Sequence, residues 1–178
     1  MLDAAIIRLW ARRALYVALC LAVLFFSLLP LDMTPARMAG PDLIVALTFA
    51  WAIRRPDVVP APLVALMLLL ADFVLQRPPG LWAALTVVMT ESLKARDRHS
   101  RETAFALEWV SVSVALIVMS LAYQIVLLLL IIPTANGALL LTQTVLTILV
   151  YPAVVAVSHV VFGLRRARPG EGDRTLLG

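Results

Sequence analysis

The chain has little cysteine, histidine or charge, and each shortage argues against a class of protein. Its one cysteine, Cys20, lies within an apolar run and cannot form a disulfide inside the chain. Neither of the two histidines has another His, Cys or acid at ligand spacing, so no metal site is expected. Charged residues make up 15% of the chain, whereas 62% of its residues are hydrophobic. Because soluble domains are about 45–50% apolar, this composition predicts a polytopic membrane protein.

The sequence also lacks the short motifs of common enzyme classes. It contains no HExxH zinc motif, no Walker-type lysine loop and no GxSxG nucleophile turn. The acids that a membrane enzyme would have to use, Asp72, Glu91 and Glu108, fall at different predicted depths. These motifs therefore give no indication of an enzyme, and we expect no cofactor. Nucleic acid is not an expected partner, because the Arg and Lys residues lie at the ends of apolar segments, where they set topology.

Apolar runs divide the chain into six segments. They cover residues 14–31, 42–53, 58–75, 81–93, 105–132 and 138–164. At about 1.5 Å per residue, the second segment would cover about 18 Å of a hydrocarbon core about 30 Å thick. We expect an all-α integral membrane protein, a bundle of six transmembrane helices of which the second and fourth are short. Residues 1–164 would form this single domain, and residues 165–178 a polar, disordered cytoplasmic tail.

The distribution of basic residues predicts the orientation. If all six segments span with the N-terminus in the cytoplasm, thirteen of the 15 Arg and Lys residues lie inside, and only Arg37 and Arg77 lie outside. The inside residues are Arg8, Arg12, Arg13, Arg54, Arg55, Lys94, Arg96, Arg98, Arg101, Arg165, Arg166, Arg168 and Arg174. In the alternative, both short segments are re-entrant and four helices span, which places twelve basic residues inside and three outside. The positive-inside rule favours six spans slightly.

The four tryptophans fit the same arrangement as an aromatic belt. Trp10, Trp51 and Trp109 fall near the predicted inner interface, and Trp82 falls near the outer one. Tryptophan is enriched at both interfaces of a membrane because its ring is apolar and its N–H group is polar.

One acid, Asp72, lies inside the apolar stretch VVPAPLVALMLLLADFVLQRPPG at 58–80. A carboxylate at the middle of a transmembrane helix costs about 2.5–3.5 kcal/mol, and less near an interface. Asp72 could snorkel to the interface, pair with Arg77 or cap a neighbouring backbone. It could instead make a buried polar contact that orients helices or meets a partner.

Other polar residues in the apolar segments have simpler interpretations. Gln124 and Gln143 fall in the outer half and could join Asp72 in a polar cluster, although ordinary interhelical hydrogen bonds are favoured for both. Glu91 stands three residues before Lys94, at ion-pair spacing on a helix. Glu108 lies in the first turn of its helix, where an acid suits the helix dipole.

Four short motifs, in this order, resemble a known family. Gly40-Pro41-Asp42-Leu43 opens the short second segment, which ends in Arg54-Arg55-Pro56. The third segment ends in Ala71-Asp72-Phe73, and Pro79-Gly80-Leu81 follows within eight residues. In these motifs, in length and in hydropathy profile, nearly the whole chain is similar to the bacterial rod shape-determining protein MreD.

The resemblance implies a six-helix protein of the bacterial inner membrane, with both termini cytoplasmic and no catalytic activity. Such a protein belongs to the cell-elongation complex, with the transmembrane helix of MreC, the MreB filament, RodA and a class B penicillin-binding protein as partners. Membrane lipids would surround it. The family is similar in fold to the substrate-binding subunits of ECF vitamin transporters, so the alternative function is a small-molecule-binding transporter subunit. A membrane enzyme is a third possibility.

For the scaffold function, we expect a groove for the partner's helix. The candidate residues for this contact are Pro41, Asp42, Asp72, Gly80, Gln124 and Gln143. The charged stretch KARDRHSR at 94–101 would form the cytoplasmic face.

Overall fold

A computed structural model describes residues 2–29, 40–99, 105–131 and 137–162. These residues form six α-helices and no strand, which confirms the all-α prediction for the described part of the chain. The helices are α1 (Leu2–Leu28), α2 (Leu43–Arg54), α3 (Ala61–Val74), α4 (Leu81–His99), α5 (Phe105–Leu129) and α6 (Gly137–Phe162). The predicted tail at 165–178 lies outside the described residues.

Three helices are long and apolar enough to cross a membrane, within α1, α5 and α6. The two short apolar helices are α2 and α3, whereas the second and fourth were predicted to be short. Helix α4 has 19 residues, because it continues as far as His99 into the charged stretch that was predicted to follow it. Lys, Ala and Arg are good helix formers, so the loss of hydropathy after Leu93 does not end the helix. Helix α3 has only 14 residues, because the backbone at Pro60 is extended and the helix begins after it.

Helix α2 is the centre of the bundle. Ten of its 12 residues, Ile44 to Ile53, are buried, and the helix packs against α1, α4 and α6. A helix that is apolar on all sides is typical of a buried position. Because lipid is as apolar as leucine, close packing and hydrogen bonds would hold such a helix in a bilayer, with little help from the hydrophobic effect.

Consecutive helices run antiparallel. Near one end of α3 and α4, Lys94 binds the Val59 carbonyl, and near their other end Asp72 binds the start of α4. The bundle therefore has two ends, which we name after the residues at the two ends of α2. The Asp42 end holds the first turns of α2 and α4, and the Arg54 end holds the first turns of α3 and α5. Twelve helical residues separate the two ends by about 18 Å along α2.

Two of the four tryptophans are not membrane anchors. Trp51 is fully buried and Trp82 is 4% exposed, so the predicted aromatic belt is wrong for both. Their indole N–H groups find partners inside the bundle, since Trp51 donates to Ser158 at 3.3 Å and Trp82 to Asp42 at 3.1 Å. Trp10 is exposed, as the belt requires.

Candidate functional site at the Asp42 end

Asp42 connects four parts of the bundle. Its Oδ1 accepts a hydrogen bond from Val45 N at 3.1 Å and so caps α2, as aspartate at this position commonly does. Its Oδ2 accepts from Arg77 Nη1 at 3.0 Å and from Trp82 Nε1 at 3.1 Å. Its backbone N–H donates to Thr147 Oγ1 at 2.8 Å. One residue thus ties α2 to the α3–α4 turn, to α4 and to α6.

Asp72 caps the start of α4. Its side chain has no exposed surface, and its Oδ2 accepts hydrogen bonds from Gly80 N at 3.0 Å and Ala83 N at 3.2 Å. Of the alternatives considered for this acid, capping a neighbouring backbone is the one observed. The Arg77 guanidinium pairs with Asp42 instead. Whether Asp72 also affects partner binding stays a prediction.

The α3–α4 turn presents these N–H groups through an unusual backbone. Gly80 has φ +88°, in the left-handed region where residues with a Cβ are strained. A Cβ at Gly80 would meet only Leu69 Cδ1, at 3.9 Å. The backbone conformation, and not lack of space, therefore favours glycine here. Gln76 also has a positive φ, of 57°.

Aromatic rings complete the Asp42 end. The Arg77 guanidinium lies 5.3 Å from the centre of the Trp82 ring, within range of a cation–π interaction. Trp82 in turn meets Tyr123 of α5 edge to face, with ring centres 5.1 Å apart. These contacts bring α5 into the same cluster as α2, the α3–α4 turn and α4.

The two glutamines lie apart from this carboxylate. Gln124 is beside Gly137 at the start of α6, where a Cβ on the glycine would lie 3.3 Å from Gln124 Oε1. Gln143 accepts a hydrogen bond from Thr147 through its backbone carbonyl. Within the described ranges, neither glutamine side chain hydrogen-bonds to Asp72. Pro41 is at the cluster's edge, where its carbonyl accepts from Leu43 N at 3.1 Å.

A second buried network, at the Arg54 end, was missed from the sequence. Arg54 Nη2 lies 3.2 and 3.3 Å from the two Glu108 carboxylate oxygens, and Tyr151 OH donates to Glu108 Oε1 at 2.8 Å. Glu108 is only 4% exposed. It therefore does more than complement the dipole of α5, because it joins α2, α5 and α6. The three residues are far apart in sequence, and charge at a segment end is ordinary, so little in the sequence indicates this network.

Lys94 is also part of the interior. Its Nζ donates to Glu91 Oε1 at 2.8 Å, which confirms the predicted ion pair, and to Val59 O at 2.6 Å. The Lys94 side chain is 5% exposed. The first residue of the predicted cytoplasmic face thus holds α4 to the start of α3 and is not available at the surface.

The described polar groups are suited to positioning helices. At both ends of α2 the acids bind basic groups, aromatic N–H or O–H groups, or helix N-termini of the same chain. Among the described residues, no group of three His, Cys, Asp or Glu side chains could hold a metal ion. Comparisons with protein-family models, with curated proteins and with solved structures give no match.

Proposed function

We propose that the chain is a non-enzymatic scaffold of the MreD type in the bacterial inner membrane. It would bind the transmembrane helix of MreC and help link the cell-elongation complex to MreB, RodA and a class B penicillin-binding protein. One observation carries the proposal. Three of the four motifs that carry the family resemblance, Gly40 to Leu43, Ala71 to Phe73 and Pro79 to Leu81, meet in one hydrogen-bonded cluster at the Asp42 end, and the fourth, Arg54 to Pro56, is at the other end of α2.

This convergence supports a structural role for the shared residues. Asp42 lies far from Asp72 and Gly80 in the sequence, yet each of the three fixes the start of a helix or the turn before it. A scaffold needs helices held in a fixed arrangement, so that their outer faces match a partner. Contacts between membrane helices come from close packing and a few hydrogen bonds. When internal hydrogen bonds fix the helices of a bundle, its apolar outer faces are left for packing against a partner.

We further propose that all six helices span, with the Arg54 end and both termini in the cytoplasm. The antiparallel order supports this, because α2 and α4 each run from the Asp42 end to the Arg54 end without turning back. The charge distribution supports the orientation. The shortness of α2 is compatible with spanning, because neighbouring helices surround it and it need not match the bilayer thickness on its own. Similarity to the ECF substrate-binding subunits is part of the same proposal.

A small-molecule-binding transporter subunit is the second candidate, and one atom favours it. Asp72 Oδ1 is buried and has no hydrogen-bond partner among the described residues. A ligand site would need several convergent polar groups around a pocket. Asp42 and Arg77 bind each other, however, and Asp72 Oδ2 binds backbone, so few groups at this end are left for a ligand.

Co-purification from native bacterial membranes tests the two candidates together. The affinity-tagged chain should bring down MreC, identified by mass spectrometry, at a level well above that from a tagged six-helix membrane protein of equal abundance. Recovery of an ATP-binding transporter module or of a bound small molecule, without MreC, would overturn the scaffold proposal in favour of the transporter.

A further inference from the structure

Two arginines at the Arg54 end have no acidic partner among the described residues. Arg13 Nη2 donates to the backbone carbonyl of Asp57 at 3.0 Å. Arg55 makes no side-chain hydrogen bond or ion pair within the described part of the chain, although the residue is half-buried. The Arg55 carbonyl accepts from Val58 N at 3.0 Å, which closes the turn that Arg13 contacts. The Arg13 guanidinium therefore binds the α2–α3 turn two residues after Arg55, and the buried Nε atoms of both arginines have no hydrogen-bond partner among the described residues.

The other basic groups nearby behave differently. Arg54 pairs with Glu108, and Lys94 pairs with Glu91. The acid closest in sequence to the two arginines, Asp57, is exposed, and no ion pair joins its carboxylate to a described residue. Among the described residues, no acid forms an ion pair with Arg13 or Arg55, whereas Arg54 and Lys94 each have an acidic partner.

The setting of Arg13 matches the depth of a lipid headgroup. Its guanidinium lies 5.2 Å from the centre of the Trp10 ring, and Trp10 is 61% exposed. Ile6, four residues before Trp10 on the same face of α1, is also exposed. Exposed tryptophan next to apolar and basic side chains is typical of the membrane–water interface, where the ring lies at headgroup level.

We propose that Trp10, Arg13 and Arg55 form a site for the phosphodiester headgroup of an anionic membrane lipid. Guanidinium groups bind phosphate oxygens through paired N–H donors, which gives these contacts both strength and orientation. Basic pockets between transmembrane helices at the cytoplasmic side commonly bind such headgroups. A lipid is favoured over free phosphate because the site continues into the exposed apolar surface of α1. The proposal is independent of the scaffold function.

The test is a titration of the purified full-length chain with phosphatidylglycerol or phosphatidylcholine in mild detergent, with bound lipid counted by native mass spectrometry. The wild type should bind phosphatidylglycerol in preference to phosphatidylcholine. Arg55→Gln should weaken that binding about fivefold, which corresponds to about 1 kcal/mol for one basic residue. The double variant Arg13→Gln/Arg55→Gln should weaken it about 25-fold. Arg55→Gln removes no described hydrogen bond, so its fold should be intact.

The matched control is Arg8→Gln/Arg96→Gln, which removes the same charge from two exposed positions. This control should keep the preference for phosphatidylglycerol. An equal loss of phosphatidylglycerol binding in both double variants would contradict the site and favour a diffuse charge effect. The absence of any lipid preference in the wild type would also contradict it.

A third arm adds inorganic phosphate during the titration. Displacement of phosphatidylglycerol by millimolar phosphate would show a free-phosphate site and contradict the lipid assignment.

Discussion

Replacing Glu108 by leucine should lower the free energy of unfolding by about 3–5 kcal/mol, the cost of removing one partner from a buried ion pair. Arg54 would be left with its side chain only 12% exposed and without its carboxylate. Tyr151 would lose the acceptor of its hydroxyl group. The measurement is unfolding in mixed micelles by titration with sodium dodecyl sulfate, followed by circular dichroism.

The double variant Arg54→Leu/Glu108→Leu is the matched control. It removes both charges, so it should recover much of the stability that Glu108→Leu loses, because an apolar pair avoids the cost of desolvation. Tyr151→Phe removes the hydrogen bond to Glu108 and keeps both charges, so it should cost about 1–3 kcal/mol. Wild-type stability in Glu108→Leu would contradict the buried network at the Arg54 end.

Replacing Asp42 by alanine should cost about 3 kcal/mol, from a lost helix cap of about 1 kcal/mol and charged hydrogen bonds of about 1.5–3 kcal/mol. The change removes the acceptor of Val45 N and leaves Arg77 and Trp82 without their shared carboxylate oxygen. The same unfolding titration measures the loss.

Two amide variants separate charge from shape at this end of the bundle. Asp42→Asn can still cap α2 but cannot neutralise Arg77, so it should lie between alanine and wild type. Asp72→Asn should cost less than about 1 kcal/mol, because an amide oxygen can accept the same backbone N–H bonds and none of the ion pairs between described residues involves Asp72. A larger loss from Asp72→Asn than from Asp42→Asn would contradict the assignment of Asp42 as the central residue of the cluster.

The sequence predicts the number and order of helices well, because hydropathy directly reflects which segments avoid water. Helix ends are harder to predict. Helix α4 continues past Leu93 into residues that are charged and also good helix formers. The end of the apolar run is therefore not the end of the helix. Helix α3 begins after Pro60, where backbone geometry decides and hydropathy does not change.

The two polar clusters differed in how far they could be predicted. Asp72 was noticeable because an acid inside an apolar run is costly, and Asp42 because it lies in a motif. Glu108 and Arg54 lie at segment ends, where charge is common, so only their contact with each other in the folded chain shows that Glu108 is buried and that little of Arg54 is exposed. The burial of Trp51 and Trp82 was missed for a related reason, since position along the helix gives depth and does not say which face is inward.

The two clusters also explain how a short helix can be the centre of this bundle. Helix α2 begins at Asp42 and ends at Arg54, and each of these residues is bound by groups from other helices. Its polar ends would therefore be covered by protein even where they lie within the hydrocarbon thickness. Loss of either cluster should loosen α2 and, through it, the arrangement of the outer helices.

Binding of the partner's transmembrane helix is the most direct measurement of the proposed scaffold role. The chain, labelled with a donor fluorophore, would be reconstituted in lipid vesicles with an acceptor-labelled peptide of the MreC transmembrane helix. The scaffold proposal predicts saturable energy transfer that unlabelled MreC helix displaces and that a scrambled helix of the same composition does not. Equal transfer to the MreC and scrambled helices, in vesicles where the chain is folded, would contradict it.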